Sequence, residues 1–313
     1  MSDNGWMKIK RSTAVDIADA LREKKGSADL IDPADFPAVI RGMSGKLPSV
    51  IDKTVTELTF EDFGNATKIG YIVFRECKNL TRVEIPKGIT SIEGNAFMSC
   101  SKLAEVIFEE GSTLASIASQ AFSGAQMTSL ILPCSVTSMN GALYSCSKLA
   151  SVSLPLACGS WNSIFGDFFA SYSSSSKNSG VPSSLKTVTI TNANSVPEDC
   201  FNACTSVKKI VFDSGCSFTT IGGDAFYGCT SLSEIVLPAS LTEFPTLGVF
   251  GNCSALGKIV IYAPEPPTLP MMGLYGVPDT CEFYVLPDSV AKYKAATNWA
   301  ERGDYIFQLE EGV

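Results

Sequence analysis

Cysteine is the first residue type whose chemistry needs an explanation in this sequence. The 313 residues contain 11 cysteines and no histidine, so the commonest general base near neutral pH and the commonest zinc ligand are both missing. A thiolate metal site would need clustered cysteines. No Cys-x-x-Cys occurs, and Cys200 and Cys204 form a single pair four residues apart. We therefore predict no metal site, no cofactor and no catalytic residues.

Carboxylates are the other side chains with ready chemistry. Several lie near the outward positions of predicted strands, namely Glu84, Glu105, Glu109, Glu110, Asp213 and Glu234. They could form an acidic stripe that faces a ligand or calcium, or a solvated face that keeps strand edges from aggregating. Asp199 and Asp224 are predicted to cap turns. Because P-loop and Gly-x-Ser-x-Gly motifs are absent from the sequence, paired carboxylates remain the only route to catalysis.

Charge and hydropathy restrict the partners. The net charge is −8, from 24 basic and 32 acidic residues, which gives no basic surface able to neutralise a nucleic-acid backbone. No stretch approaches the roughly 20 apolar residues that span a bilayer, and residues 1–13 show no signal peptide. We expect neither a nucleic-acid partner nor a membrane span, and the sequence does not specify an oligomeric state.

The cysteines recur because the sequence itself repeats. A frame of the form Phe-x-x-Cys-x-x-Leu-x-x-Val-x-Ile-Pro is followed by an Ile-x-x-x-Ala-Phe step, and most copies are 21 to 25 residues long. The copies start at Phe74, Phe97, Phe122, Leu143, Phe201, Phe226 and Phe250. Self-similarity at such a period indicates stacked structural units.

Each copy is predicted to be one coil of a solenoid. In the first copy Val83 and Ile85 alternate inward on a short strand, and Pro86 ends its pairing. One coil cannot bury its own apolar edge, so equivalent side chains of successive coils should stack into columns. The predicted column of buried, reduced thiols is Cys77, Cys100, Cys146, Cys204, Cys229 and Cys253. The predicted leucine column is Leu80, Leu103, Leu149, Leu232 and Leu256.

One long insertion interrupts the frame at residues 156–184. It carries Trp161, Phe165, Phe168 and Tyr172, a composition typical of binding hot spots. Insertions into repeats project from one face and often carry function. The alternative is that these rings fold back over the widened gap between coils. If the loop binds, we expect Trp161 and Tyr172 to be its main contacts.

The flanks differ from the repeats. Residues 1–47 are predicted to be an N-terminal helical module and linker, with helices over 13–24 and 33–40. Residues 48–262 form the repeats, and Val55, Leu58 and Phe60 are the strand of the opening coil. Residues 263–313 are a capping segment, with a strand at 281–286 and a short helix from about 289 to 299.

The repeat frame resembles the BspA-like leucine-rich repeats of anaerobic bacteria and their phages, over about residues 50–262. The ending Tyr-Val-Leu-Pro-Asp-Ser at 284–289 is similar to a closing segment frequent in that family. The segments at 16–22 and 31–42 resemble a short module of phage tail-associated proteins. The resemblance implies an α/β leucine-rich-repeat solenoid of eight or nine coils, with short strands stacked along one face.

The same resemblance implies recognition rather than catalysis. We expect a non-catalytic scaffold, at a cell surface or secreted, that binds a protein or glycan through the strand-lined face and the insertion. The first alternative is a structural or receptor-binding subunit of a phage tail, which would be virion-associated and held by residues 1–45. A glycan-acting enzyme is the third hypothesis.

Overall fold

Two compact units make up the chain, residues 1–147 and 148–313. The computed structural model describes residues 55–139, 141–156, 165–169, 178, 180–245 and 248–310. The predicted N-terminal module at 1–47, with both of its helices, lies outside the described residues. Trp161 and Tyr172 also lie outside them.

Short parallel strands build the first unit. One sheet contains β1 (Glu57–Leu58), β3 (Arg82–Ile85) and β5 (Glu105–Phe108) in that order. A second contains β2 (Lys68–Ile69), β4 (Ser91–Ile92), β6 (Ser116–Ile117) and β8 (Ser138–Met139). β7 spans Ser129–Ile131. Consecutive coils align residue for residue, as in the pairings Val83 with Val106 and Ile92 with Ile117.

The second unit has one parallel sheet whose strands follow chain order. Its strands are β9 (Ser151–Leu154), β10 (Thr187–Ile190), β11 (Lys209–Phe212), β12 (Glu234–Leu237), β13 (Lys258–Ile261), β14 (Glu282–Val285) and β15 (Ile306–Gln308). Isolated bridges join Val196 to Ile221 and Glu243 to Thr268 between coils. The predicted leucine-rich-repeat solenoid of stacked short strands is confirmed, and its strands are parallel.

Stacked phenylalanines form the core of both units. Phe97 lies between Phe74 and Phe122, with ring centroids 5.0 and 5.3 Å apart and interplanar angles of 10° and 2°. In the second unit Phe226 stacks in the same way on Phe201 and Phe250, at 5.3 and 5.5 Å. These distances are close to the roughly 4.8 Å spacing of neighbouring strands, because each ring occupies the same position in its coil.

The turns beside each phenylalanine also pair from coil to coil. The Phe97 amide donates to the Ala121 carbonyl at 2.7 Å, and the Ser99 amide donates to Ser123 at 2.8 Å. Asn95 and Ser99 have φ values of 57° and 62°, which turns the chain sharply on both sides of the ring. Buried backbone groups need partners, and this ladder satisfies them where no regular strand exists.

The C-terminal segment, which closes the second unit, contains a short α-helix. Helix α1 covers only Val290–Ala295, after a 3₁₀ turn at Pro287–Ser289, and a second 3₁₀ segment runs over Ala300–Tyr305. The prediction that one helix continues to Trp299 is wrong. Asn298 has a φ of 64°, and the chain turns there so that Trp299 enters the core, where its Nε1 donates to the Pro267 carbonyl at 2.8 Å.

The strand of the opening coil is also shorter than predicted. β1 ends at Leu58, and Phe60 starts a 3₁₀ helix that runs to Phe63. Asp62 explains the change, since its carboxylate accepts a hydrogen bond from the Thr59 amide at 2.8 Å and so caps that helix. The described residues contain few helical segments, so the fold is a parallel β solenoid rather than a balanced α/β protein.

Candidate binding surface

The outward side chains of the second unit's sheet form two rows. Strand residues alternate between the core and the outside, and the parallel strands are in register. One row therefore contains Lys209, Glu234, Lys258 and Glu282. The next contains Val211, Val236, Val260 and Tyr284.

The first row is a chain of alternating charges. Lys209 Nζ and Lys258 Nζ lie 3.0 and 3.8 Å from the same carboxylate oxygen of Glu234. Lys258 also lies over the Tyr284 ring, 5.0 Å from its centroid, and the Tyr284 hydroxyl donates to Glu282 at 2.9 Å. The positive and negative charges of this row largely neutralise one another, so the row has little net charge.

The second row forms the floor of a groove of about 610 Å³, which we call the strand-face groove. Val211, Val236 and Val260 come from three successive strands. The remaining apolar lining is Phe212, Pro238, Ala239, Tyr262 and Leu286, and the polar lining is Lys209, Asp213, Ser214 and Glu234. Its size falls in the range of roughly 300–1,000 Å³ typical of ligand sites.

The six repeat cysteines lie in the core. Each of the six is at most 1% exposed. The thiol of Cys100 donates to the Phe74 carbonyl of the preceding coil at 3.0 Å, and Cys229 and Cys253 make the same bond to Phe201 and Phe226, also at 3.0 Å. Each of these three thiols therefore hydrogen-bonds to the coil before it.

Burial makes these thiols poor nucleophiles. Loss of hydration raises the pKa of Cys146 and Cys253 to about 12 in each case, because a buried thiolate would lose its water. Cys200 shows the same shift, to about 12, for the same reason. Reactions that need a thiolate are disfavoured at these positions. The residues of the leucine column are also buried, at no more than 1% exposure.

Two of the insertion's four proposed contact residues lie inside the protein. Phe165 and Phe168 are 0% and 2% exposed. The Phe165 ring lies 5.0 Å from that of Phe201, and its amide donates to the Cys200 carbonyl at 2.7 Å. These are the contacts that Phe97 makes with the coil after it. For these two rings the structure favours packing over ligand contact, and binding by Trp161 and Tyr172 stays a prediction.

Phe165 is in fact a repeat residue that the sequence frame missed. From Phe74 to Leu80 is 6 residues, whereas from Phe165 to the equivalent Leu185 is 20, so the extra residues enter after the ring. Asn178 repairs the interrupted ladder, since its side-chain amide donates to the Asn202 carbonyl at 2.6 Å. In regular coils a backbone amide donates at this point, as Ala203 does to Tyr227 at 2.7 Å.

The acidic residues are not a free stripe. In the first unit Arg82 Nη2 lies 2.5 Å from Glu84, and its Nε lies 2.9 Å from Glu105. Lys87 binds Glu109 through its amide at 2.9 Å and through its ammonium at 3.3 Å. Within the described part of the chain, no group of three or more acidic or cysteine side chains could hold a metal ion. This pairing favours a solvated, charge-balanced face.

Sequence reasoning named the strand-lined face but not the valines of the groove. The signal was present in the strands Lys-Ile-Val-Phe, Glu-Ile-Val-Leu and Lys-Ile-Val-Ile, each with an apolar residue at an outward position. The same position is Glu84, Ser153 or Thr189 in other coils. A single such valine means little, and only the register shows that the three are neighbours.

The repeat model of one family matches the coils directly. The BspA type leucine rich repeat region matches residues 67–192 and 181–265, which is more than half of the chain. The chain belongs to the BspA-type leucine-rich repeat family. The short parallel strands and coil-to-coil ladders described above are therefore those of BspA-type repeats. Comparison with curated proteins gives no sequence match.

Several solved structures are similar in fold to these BspA-type repeats. The match to the pneumococcal vaccine antigen PcpA has 14% sequence identity and a TM-score of 0.31, and it covers 83% of this chain and 78% of the PcpA chain. A leucine rich cell surface protein from Faecalibacterium prausnitzii is 23% identical, with coverages of 67% and 77% and a TM-score of 0.24. A T. pallidum leucine rich repeat protein is 21% identical, with coverages of 72% and 72% and a TM-score of 0.24. The family assignment depends on the repeat match alone.

Among the described residues, no helix has the length and apolar character that crossing a bilayer requires.

Proposed function

We propose that this chain is a non-catalytic scaffold that binds a protein ligand in the strand-face groove. The observation that carries the proposal is the row of Val211, Val236 and Val260 at outward strand positions, of which Val211 and Val236 are half-buried and Val260 is 1% exposed. Outward positions of a sheet are ordinarily polar when they face water only. An apolar floor there gains free energy when a partner covers it.

The lining of the groove favours a protein over a glycan. Hydroxyl-rich ligands need several convergent hydrogen-bonding groups, but the floor has only aliphatic side chains. The charged row on one side is already paired within itself through Glu234, and it would act as the polar rim that surrounds an apolar interface core. An apolar segment of a protein therefore fits this groove best.

The location belongs to the same proposal. The resemblance to bacterial surface repeats supports a cell-surface or secreted protein, and surface biotinylation of the native host would test this. The phage-tail alternative depends on residues 1–45, which lie outside the described residues, so it stays a prediction. Its test is whether residues 1–45 capture a tail protein.

A binding array with a groove variant tests the function. Purified host surface and matrix proteins, with glycans as a second panel, are probed with the wild type and with Val236→Arg, which places a charge on the groove floor. Ser153→Arg is the matched control, since Ser153 has the equivalent outward position on β9, which contributes nothing to the groove lining.

We expect one or more protein ligands that Val236→Arg loses and Ser153→Arg keeps, with circular dichroism unchanged in both variants. Equal binding by the wild type and Val236→Arg would show that the groove is not the binding site. Binding to glycans only would refute the protein ligand.

A further inference from the structure

A second exposed site lies on the final coils of the second unit and shares no residue with the strand-face groove. Met271, Met272 and Tyr275 are 90%, 48% and 63% exposed. They border a cavity of about 280 Å³. The polar side chains that line this cavity are Asp279, Asn298, Glu301 and Arg302.

Two tyrosines pack directly against the backbone at glycine positions. A Cβ atom on Gly248 would lie 2.8 Å from Tyr275 Cβ, and one on Gly251 would lie 2.5 Å from Tyr227 Cδ2. Any side chain at either glycine would displace the ring. Tyr227 is 41% exposed, and its hydroxyl accepts a hydrogen bond from Asn252 Nδ2 at 2.8 Å. Both rings are therefore held in place while part of each stays open to solvent.

The two tyrosines occupy the same position in coils that are two apart. Tyr227 follows the stacked ring of Phe226, and Tyr275 follows Leu274, which has the equivalent place in its own coil. Strand spacing places such positions roughly 10 Å apart along the stack. Two fixed rings at that separation can contact one extended ligand at successive points.

The polar groups of the cavity act mainly as hydrogen-bond acceptors. The Arg302 guanidinium is already engaged, with Nη1 3.2 Å from Asp279 and 3.2 Å from the Pro278 carbonyl. The Asp279 side chain is nonetheless 99% exposed. The Glu301 carboxylate makes no hydrogen bond or ion pair with any described residue. These carboxylate oxygens can accept hydrogen bonds from ligand hydroxyl groups, which form strong bonds to carboxylates.

We propose that Tyr275, with the adjoining cavity and Tyr227, binds an uncharged oligosaccharide of pyranose sugars. A pyranose ring presents a C–H face that packs on an aromatic ring, and its edge carries hydroxyls that donate to Glu301 and Asp279. An acidic sugar would meet two carboxylates and one engaged cation, so repulsion disfavours it. An apolar protein segment would desolvate the same carboxylates without supplying donors, which is unfavourable.

Methionine methyl NMR tests this site directly. The full chain is labelled with ¹³C at its methionine methyls, and Met271 and Met272 act as reporters, while buried Met127 and Met139 serve as internal references. The probes are cellohexaose, maltohexaose, mannohexaose and chitohexaose. An oligogalacturonate tests acidic sugars, and a synthetic Leu/Lys amphipathic peptide tests a protein partner.

We expect saturable shifts of the Met271 and Met272 methyls with at least one neutral oligosaccharide. Tyr275→Ala should weaken that binding about tenfold, and Glu301→Ala should weaken it several-fold. Tyr144→Ala is the matched control, because Tyr144 follows the column residue Leu143 and is 39% exposed but is not among the residues that line this cavity. This variant should bind as the wild type does.

Three results would overturn the proposal. The first is no shift with any neutral oligosaccharide at millimolar concentration. The second is a shift only with the oligogalacturonate or the peptide. The third is unchanged affinity in Tyr275→Ala, with circular dichroism showing that the variant is folded. Because the strand-face groove is not touched by these variants, failure here leaves the proposed protein-binding function unaffected.

Discussion

Ionisation of a buried thiol should make stability depend on alkaline pH. Cys253 is fully buried, and loss of hydration raises its pKa from the ordinary value of 9.0 to about 12. The folded state therefore holds the thiol proton more tightly than the unfolded state does. The stabilising effect is complete below pH 9, and it is lost as the pH rises from about 9 towards 12.

The size of the effect follows from the two pKa values. At pH 10 an unfolded thiol is about ten parts ionised to one part protonated, which stabilises the unfolded chain by about 1.4 kcal/mol. The folded thiol is still almost wholly protonated at that pH. At pH 8 the effect is negligible in both states. Cys253 alone should therefore account for about 1.4 kcal/mol of the stability that the protein loses between pH 8 and pH 10.

The assay is urea unfolding of the wild type and Cys253→Ala at both pH values, followed by circular dichroism. The substitution also removes packing and the bond to the Phe226 carbonyl, but that cost is present at both pH values and cancels in the difference. We expect the variant to lose about 1.4 kcal/mol less than the wild type. The exposed cysteine variant Cys134→Ala should lose as much as the wild type. An identical loss in Cys253→Ala and the wild type would refute the burial argument.

Three further predictions follow from the same packing. Cys134 is the exposed member of the ten described cysteines, so a maleimide should label it fast in native protein, and Cys134→Ser should remove one equivalent of that fast phase. Phe97→Ala should cost about 4 kcal/mol in urea unfolding, because it empties the middle of a three-ring stack, whereas Phe97→Leu should cost only about 1 kcal/mol. A cost below about 1 kcal/mol for the alanine would contradict the stacking. Trp299→Phe should cost about 1–2 kcal/mol by the same measurement, because it leaves the buried Pro267 carbonyl without its donor, and an unchanged midpoint would show that this bond contributes nothing.

The repeat frame predicted the coil, the strand positions and the buried face of each strand because those features are local. Val83 and Ile85 alternate with Arg82 and Glu84, and this period of two identifies the strand from sequence alone. The same periodicity did not predict the places where the chain turns at a single residue. Asp62 caps a short helix that ends the opening strand, and Asn298 takes a left-handed conformation that ends α1 early. Neither residue type is specific enough to announce these turns.

Phe165 shows a different limit. Sequence spacing placed it in an insertion, because 20 residues separate it from the next leucine of the frame. In the structure it fills a place in the phenylalanine stack beside Phe201. Stacking depends on distance in space, and a loop of any length can leave and return between two neighbouring contacts. β15 was missed although it follows β14 by about one coil length, because the helix and the 3₁₀ segment between the two strands do not follow the repeat frame.

The sequence alone determines that this protein is a stack of equivalent coils. The same inward residues recur in each copy, and each of them is buried by its equivalents in the neighbouring coils. The sites on its surface were decided by the tertiary structure. Val211, Val236 and Val260 become a groove floor only when parallel strands lie in register, and Tyr275 becomes a platform only when Gly248 comes beneath it. Residues that face outward have no packing rule that links one coil to the next, so their neighbours are defined by the stacking itself.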